Sequence, residues 1–324
     1  MSQTTQDTIL QVSRLGVESV IGTAVPANRQ MPSFKSAGWQ EGKVDEYVSQ
    51  GDLVDAVTVL SKDWSGFKFD GAGTYSELTY VFGSGLCKPQ GGAGQWDYYP
   101  QINKRDTPLS FTVEHGQDDS CGKSSGVIID GFTLDWTRDE IKASGTGFGM
   151  LYSDDATPTS NPTEVSANPL AANQTGIFVD ETYGNIGSTK LADCYHWALT
   201  LSKRWGMKWV MDYTLNSWQT YVVLLPSLEL TIQLERNDQS KAFLDKMRTN
   251  STRYLSVFAA APTGSDSLSI QMPFRVIKNA GEPKDHEGVY TQEWTIKPVR
   301  DAAFLAANQN AFMHVSLSNE LSAL

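Results

Sequence analysis

The chain has 324 residues, of which 40% are hydrophobic and 19% charged, a balance that is typical of a folded globular protein. Its formal net charge is −11 and its pI is about 4.8, which disfavours tight binding to nucleic acid because an acidic protein repels phosphates. The length is sufficient for two domains, each with its own core.

The cysteines and the N-terminus give no indication of export or of a metal site. Cys87, Cys121 and Cys194 are far apart and form no CxxC, so neither a disulfide framework nor a zinc site is indicated. The polar N-terminus lacks the features of a secretion signal. No apolar run approaches the roughly 20 residues that span a bilayer. We therefore predict a protein that is made in a cytoplasm, needs no cofactor and does not contact a membrane.

The first third of the chain predicts strands, a hairpin and one helix. Ile9 to Val17 is an amphipathic start, either a short helix or a strand. Residues 36–64 predict a hairpin with an acidic tip (Asp45, Glu46, Asp52 and Asp55). A strand with Phe67 and Phe69 follows, a break at Asp70-Gly71 ends it, and residues 75–82 are predicted to form a helix.

Residues 87–108 form a long segment rich in glycine, proline and aromatic residues. Trp96, Tyr98 and Tyr99 lie within it. A loop of this length with aromatic side chains indicates a contact surface, and these three residues are candidate inter-subunit contacts. The alternative is that Trp96 and Tyr98 fold back over one edge of the core.

A well-patterned strand follows, in which Phe132, Leu134 and Trp136 share one face. After a turn at Arg138-Asp139-Glu140, the return strand has Gly145, Gly147 and Gly149 at alternate positions. Glycines on one face of a strand indicate close approach of another group.

The second half repeats the order of the first, with strand, break and helix between Glu229 and Met247. At a constant offset of 165, Phe67 corresponds to Ile232 and Leu78 to Phe243. Doubled patterns of this kind predict two similar modules. The expected fold is mainly β with some helix: two tandem β-sandwich or barrel modules, each with a short flanking helix. The first spans residues 1–155, the linker 156–176 and the second 177–324.

Catalytic motifs are weak. The four histidines form no HExxH, and there is no GxSxG, P-loop or helix-opening GxGxxG. Cys194 and His196 share a strand face, but the sequence offers no third group to orient them. The acid pairs, such as Asp139-Glu140, lie in predicted turns, where acids are common. The sequence thus predicts no catalytic residue and a protein that is not an enzyme.

Two short motifs stand out in the sequence. Residues 16–29, GVESVIGTAVPANR, contain a G-x-E-x-x-x-G-T stretch, and residues 130–136 read DGFTLDW. Both resemble tail tube proteins of long-tailed bacteriophages, specifically the larger, duplicated kind, in which the first stretch precedes the first strand and the second is a later strand. The order of strands and helix is also similar.

The resemblance implies a structural virion protein of the phage tail, made in the host cytoplasm. Inner sheets of neighbouring copies would join edge to edge into a ring, as a homotrimer with pseudo-sixfold symmetry or a hexamer. Stacked rings would surround the tape-measure protein and later pass DNA through the lumen without specific binding, for genome ejection. Phe132, Leu134 and Trp136 are then candidate inter-subunit contacts through edge pairing. An acidic lumen would repel DNA.

Two alternatives remain open on the sequence. One is a carbohydrate-binding or carbohydrate-active β-sandwich, which would need a groove of aligned tryptophans. The other is a different virion part, from the baseplate or a decoration protein.

Overall fold

The fold is mainly β, as the sequence predicts. A computed structural model describes residues 12–48, 55–103, 106–117, 120–211, 217–279, 282–286 and 288–324. Strands account for 55% of the residues and helices for 11%. Three short α-helices accompany the strands in these ranges.

The elements of the first half follow in chain order. They are β1 (Val12–Val17), β2 (Arg29–Met31), β3 (Phe34–Val48), β4 (Asp55–Ala72), α1 (Leu78–Gly85), β5 (Gln90–Gly92), β6 (Gln95–Tyr98), β7 (Phe111–Gln117), β8 (Ser120–Trp136), β9 (Ile141–Gly149) and β10 (Leu151–Ala156). The expected break at Asp70-Gly71 is wrong, because β4 continues to Ala72 and the helix begins later, at Leu78.

The second half contains most of the remaining elements. They are β11 (Thr163–Glu164), β12 (Thr175–Asp180), β13 (Cys194–Ser202), β14 (Trp205–Lys208), β15 (Thr220–Val223), β16 (Ser227–Glu235), α2 (Asp238–Arg248), β17 (Arg253–Ala260), β18 (Ser267–Asn279), β19 (Lys284–His286), β20 (Val289–Pro298), α3 (Ala302–Ala307) and β21 (His314–Ser318).

The two halves have the same strand order. In the first, β3–β4–β9–β8 form one sheet and β1–β7–β8–β10 the other. In the second, β13–β16–β20–β18 and β12–β17–β18–β21 do the same. All of these pairs are antiparallel. One long strand in each half, β8 or β18, belongs to both sheets and links them.

The repeat is real, but its residue offset differs by two from the sequence alignment. β8 and β18 each contain a bulge, which follows the pair Ile129–Gly147 in β8 and Val276–Ile296 in β18. Gly147 lies opposite Phe67 and Ile296 opposite Leu230. Phe67 therefore corresponds to Leu230, an offset of 163 (230 minus 67), because pairing rather than side-chain type fixes the register.

The helix starts support the same offset independently. The Thr74 hydroxyl accepts a hydrogen bond from the Glu77 backbone N–H. The Asn237 side chain accepts one from the Ser240 N–H in the same way. The Asn237 pair caps α2, and the Thr74 pair closes the turn that leads into α1 at Leu78. The two pairs are also separated by 163 residues.

The halves join within one sheet. The second part of β8 pairs with β13, from Phe132 opposite Leu201 to Trp136 opposite Trp197. The result is one continuous sheet of eight strands in the order β3–β4–β9–β8–β13–β16–β20–β18. Its inner face is apolar and buried in both halves, with Leu134 and Leu199 both 0% exposed.

The described part of the aromatic segment, residues 87–103 and 106–108, folds back onto the core rather than forming a free loop. β5 and β6 make a short hairpin, and β6 pairs with β21 near the C-terminus. The structure therefore supports the alternative in which Trp96 and Tyr98 cover an edge of the core. The β6–β21 pairing also links the first half to the C-terminal strand.

The predicted linker is not a flexible coil in the structure. β11 pairs in parallel with β2, and Pro169 forms an isolated bridge with Thr74. These contacts hold residues 156–176 against the first half. The domain boundaries themselves stay a prediction, since the two halves share one sheet.

The alternate glycines of β9 mark close approach, as expected. A Cβ on Gly147 would lie 2.3 Å from the carbonyl oxygen of Ile128, and one on Gly145 would lie 2.6 Å from that of Gly131. Side chains at these positions would push β8 and β9 apart next to the bulge.

Candidate assembly edges

The joint between the halves is held by stacked tryptophans on its buried face. The rings of Trp136 and Trp197 are 4.1 Å apart between centroids with an interplanar angle of 18°. Both are 3% exposed, and the Trp136 Nε1–H donates to the Thr175 hydroxyl at 3.2 Å. Burying each large side chain contributes about 1.5–3 kcal/mol, so this joint is a stable part of the chain.

Polar contacts cross the outer face of the same joint. The hydroxyls of Thr133 and Thr200 are 3.2 Å apart. Nε2 of His196 lies 2.5 Å from an Asp135 carboxylate oxygen. Both contacts link β8 to β13, and they show which residue positions meet when two such edges pair.

A small hairpin, β14–β15, forms the second component of the joint. It extends from the second half over the pair Ile128–Phe148 on β8 and β9, where Trp205 and Trp218 are each 1% exposed. The Trp205 Nε1–H donates to the Ser84 carbonyl at 2.7 Å. The hairpin therefore covers the outer face of the first half beside the joint.

A buried ion pair anchors the start of this hairpin. Arg204 contacts Asp106 across the two halves, with both side chains largely buried. Burial raises the pKa of Asp106 and lowers that of Arg204, and the attraction between the two charges opposes both shifts. Removing one partner would leave a buried charge unpaired, which is strongly destabilising.

The predicted contact residues are mostly internal. Trp96, Tyr98, Phe132, Leu134 and Trp136 are between 0% and 4% exposed within a single chain. The edge assignment of the strand 132–136 is thus corrected: β8 is paired on both sides, with β9 and with β13. Its alternating pattern indicated a half-buried strand but could not show which neighbour covers its edge.

The aromatic residues Trp96, Tyr98 and Tyr99 of segment 87–108 each make a specific contact within the chain. The Trp96 Nε1–H donates to the Asn319 side chain at 3.1 Å, and the Tyr98 hydroxyl donates to the Thr79 carbonyl at 2.9 Å. Tyr99 is half-buried and stacks on His314 at 4.5 Å. A contact between subunits through Tyr99 stays a prediction.

β3 is one open end of the eight-stranded sheet. In the described part of the chain it pairs with β4 and with no other strand. On its outer face Trp39 is 39% exposed and its Nε1–H donates to Glu41 at 2.7 Å. Ser36 lies opposite Phe69 and Trp197 lies opposite Ile232, the counterpart of Phe69. Through this pairing, residues 36–40 correspond to residues 197–201, the part of β13 that pairs with β8.

The far part of β18 is the other open end. β17 covers β18 only as far as Phe274. Beyond that point, within the ranges that the structure describes, β18 pairs with β20 alone. Ile277 is 46% exposed there. β18 corresponds to β8, and the matching bulges place the joint segment 132–136 of β8 on residues 279–283, of which Asn279 is the last residue of β18. The end of β18 thus leads into the counterpart of the strand segment that β13 pairs with inside the chain.

These edges were not predicted from the sequence. Alternation reveals which face of a strand is buried, but an unpaired edge depends on which strands are neighbours. The available signal was the repeat itself, which assigns β3 to the same role as β13.

The uncovered face of the large sheet is close to neutral. Among the described residues, charged side chains alternate there with the core-facing residues, and five are basic and seven acidic. They are Lys35, Lys68, Lys142, Arg275 and Lys297, with Glu41, Asp70, Asp130, Asp135, Glu229, Glu235 and Glu293. Lys297 pairs with Glu229 at 2.6 Å. The net charge of −11 is therefore located mainly elsewhere, and an acidic lining of this face is not observed.

The G-x-E-x-x-x-G-T motif is a turn built around a buried glutamate. The Glu18 carboxylate is 7% exposed and accepts hydrogen bonds at 2.8 Å from the Gly22 N–H, the Gly126 N–H and the Thr112 hydroxyl. Gly22 has φ +80°, a conformation that favours glycine. The motif thus ties β1 to β7 and β8, and this structural role accounts for its glutamate and its second glycine.

The Cys194–His196 pair does not form a nucleophilic site. A bulge separates the two positions, and the Cys194 thiol donates to the His196 carbonyl at 3.5 Å. Burial raises the pKa of Cys194 to about 12, and the pKa of the buried Cys87 is also raised to about 12. A nucleophilic cysteine needs a lowered pKa instead.

These pKa values predict slow thiol chemistry. At pH 8, about four units below the pKa, Cys87 and Cys194 are thiolates to roughly one part in 10⁴. We expect a chromogenic disulfide reagent to label both at least about 100-fold more slowly in the native protein than in urea. Stopped-flow absorbance measures the rates, and rapid native labelling of Cys194 would contradict this assignment.

Other functional sites find little support. Six of the nine tryptophans are buried in the core, so they do not line a sugar-binding groove. The described residues contain no group of three or more His, Cys, Asp or Glu side chains placed to hold a metal ion. No helix in the described ranges has the length and apolarity to cross a membrane. No protein-family model and no curated protein matches the sequence.

Proposed function

We propose that this chain is the tube subunit of a long-tailed bacteriophage tail and assembles into stacked rings. The observation that carries the proposal is the eight-stranded sheet with two complementary open ends. One end, β3, is the counterpart of β13, and the other, β18, is the counterpart of β8. The joint inside the chain therefore serves as a template for a joint between chains.

Ring closure follows from the repeat. Contact between two different edges of identical chains is heterologous, and such contacts form rings when the rotation closes. If each half occupies one of six positions, the ring holds three chains with pseudo-sixfold symmetry, and the alternative is a ring of six chains. Pairing every edge also removes the aggregation hazard of open strands.

The lining of the channel is the uncovered face of the large sheet. Its nearly balanced charge favours passage of DNA without tight binding, since it offers no strong basic patch to the phosphates. A tape-measure protein would occupy the same channel during assembly. On this account the protein is a virion component without catalytic activity.

Electron microscopy of the concentrated protein tests the proposal. We expect hollow rings and stacked tubes in negative stain. Rings that never stack would favour a baseplate or decoration protein instead. A uniform monomer across a range of concentrations and salts would contradict any tube function.

A further inference from the structure

The surface that the β14–β15 hairpin covers in the first half has a counterpart at the far end of the sheet, and this counterpart is uncovered. The β14–β15 hairpin covers Ile128–Phe148, the second pair before the bulge in β8. The pair in the same position on β18 and β20 is Arg275–Lys297. Within the described residues, no hairpin of the same chain pairs or packs over it in the way that β14–β15 covers Ile128.

The outer part of the β3–β4 hairpin is the counterpart of β14–β15. β14–β15 lies between β13 and β16, which are the counterparts of β3 and β4. At the offset of 163, Val223 of β15 corresponds to Leu60 of β4. Trp205 lies opposite Val223, just as Val44 lies opposite Leu60. The next three pairs also match in register: Gly206–Val222 with Asp45–Val59, Met207–Tyr221 with Glu46–Thr58, and Lys208–Thr220 with Tyr47–Val57.

The two hairpins differ in what covers them. Trp205 is 1% exposed, whereas Val44 is 50% and Leu60 43% exposed. In β14–β15, the Trp205 side packs on the neighbouring half. The same side of the β3–β4 hairpin presents exposed apolar side chains. The position that Trp205 fills as a buried residue is therefore held in the first half by a residue that nothing covers.

The charges are complementary. Arg275 and Lys297 lie directly opposite each other on adjacent strands, and like charges in this arrangement are destabilising unless an acidic partner is present. The hairpin segment 41–63 contains six acids and two lysines. Glu46 corresponds to Met207, which packs on the same side as Trp205. Glu46 is exposed and lies on the side of Val44.

We infer that the β3–β4 hairpin of one copy docks on the Arg275–Lys297 pair of a second copy. Glu46 faces the two cations, and Val44 and Leu60 pack on their aliphatic stems. Since Lys297 already pairs with Glu229, Arg275 is the main partner of Glu46. The inference rests on the proposed function, because it presupposes that copies meet as the two halves do.

Charge reversal tests the contact in the full-length protein. We expect Glu46→Lys to weaken self-association about tenfold and to reduce its dependence on salt, since it removes an ion pair between copies. Adding Arg275→Glu to Glu46→Lys should restore association. Asp45→Lys is the matched control, because Asp45 points to the other side of the hairpin and pairs with Lys43.

Sedimentation velocity at several salt concentrations measures association, and circular dichroism checks the fold. The inference is overturned if Glu46→Lys and Asp45→Lys have the same effect, or if the double variant is folded but not restored. If tubes form normally in every variant, the docking contact fails while the tube function stands. If the unaltered protein does not associate at all, both fail.

Discussion

Replacing Trp197 by alanine is expected to lower the free energy of unfolding by about 3–5 kcal/mol. The side chain is 3% exposed and stacks on Trp136 at the joint between the halves, so truncation leaves a cavity on both sides of that joint. Urea unfolding monitored by circular dichroism, at a concentration too low for assembly, gives the value.

Trp39→Ala is the control for this experiment. Trp39 is 39% exposed on β3, and its loss should cost less than about 1 kcal/mol. Equal effects of the two substitutions would contradict the view that the β8–β13 joint is a packed core element. A separate early transition in the Trp197 variant would indicate that the halves come apart before each unfolds.

Placing proline at Gln40 is expected to abolish assembly and to leave the monomer folded. The Gly38 N–H donates to the His115 side chain at 3.2 Å rather than to β4, so the N–H groups of residues 38 and 40 point away from β4. Proline at position 40 would keep the β3–β4 ladder and remove a donor from the open edge. We expect self-association at least about tenfold weaker by sedimentation velocity.

Gln40→Ala retains the backbone N–H and should assemble normally. The melting temperature of both variants should remain close to that of the parent protein. If the proline variant forms tubes as well as the alanine variant does, β3 is not an assembly edge and the proposed ring geometry is wrong.

Local patterns in the sequence predicted the fold class well. Alternating residues such as Leu230, Ile232 and Leu234 identified strands whose inner faces are buried. The repeat was also detectable, but with an offset of 165 instead of 163. A shift of two residues keeps every side chain on its own face of a strand, so hydrophobic pattern alone cannot detect it. Strand pairing, bulges and helix caps can.

The candidate site was less predictable. Phe132, Leu134 and Trp136 were expected at an edge, yet their strand lies in the middle of the large sheet. The sequence cannot show this because it depends on a contact with β13, about 60 residues away. The roles of Trp96 and Tyr98 were ambiguous for a similar reason. Their strand, β6, pairs with β21 more than 200 residues later, and the Tyr98 hydroxyl bonds to a backbone carbonyl of α1, a contact that no side-chain pattern reveals. Arg275 and Lys297 carried no local signal.

A cryo-electron microscopy reconstruction of the assembled protein tests the central claim most directly. The account predicts that β3 of each chain pairs with the β18 end of its neighbour, with the geometry that joins β13 to β8 inside the chain. Rings or tubes in which the β3 edge faces solvent, or pairs with a copy of itself, would contradict it.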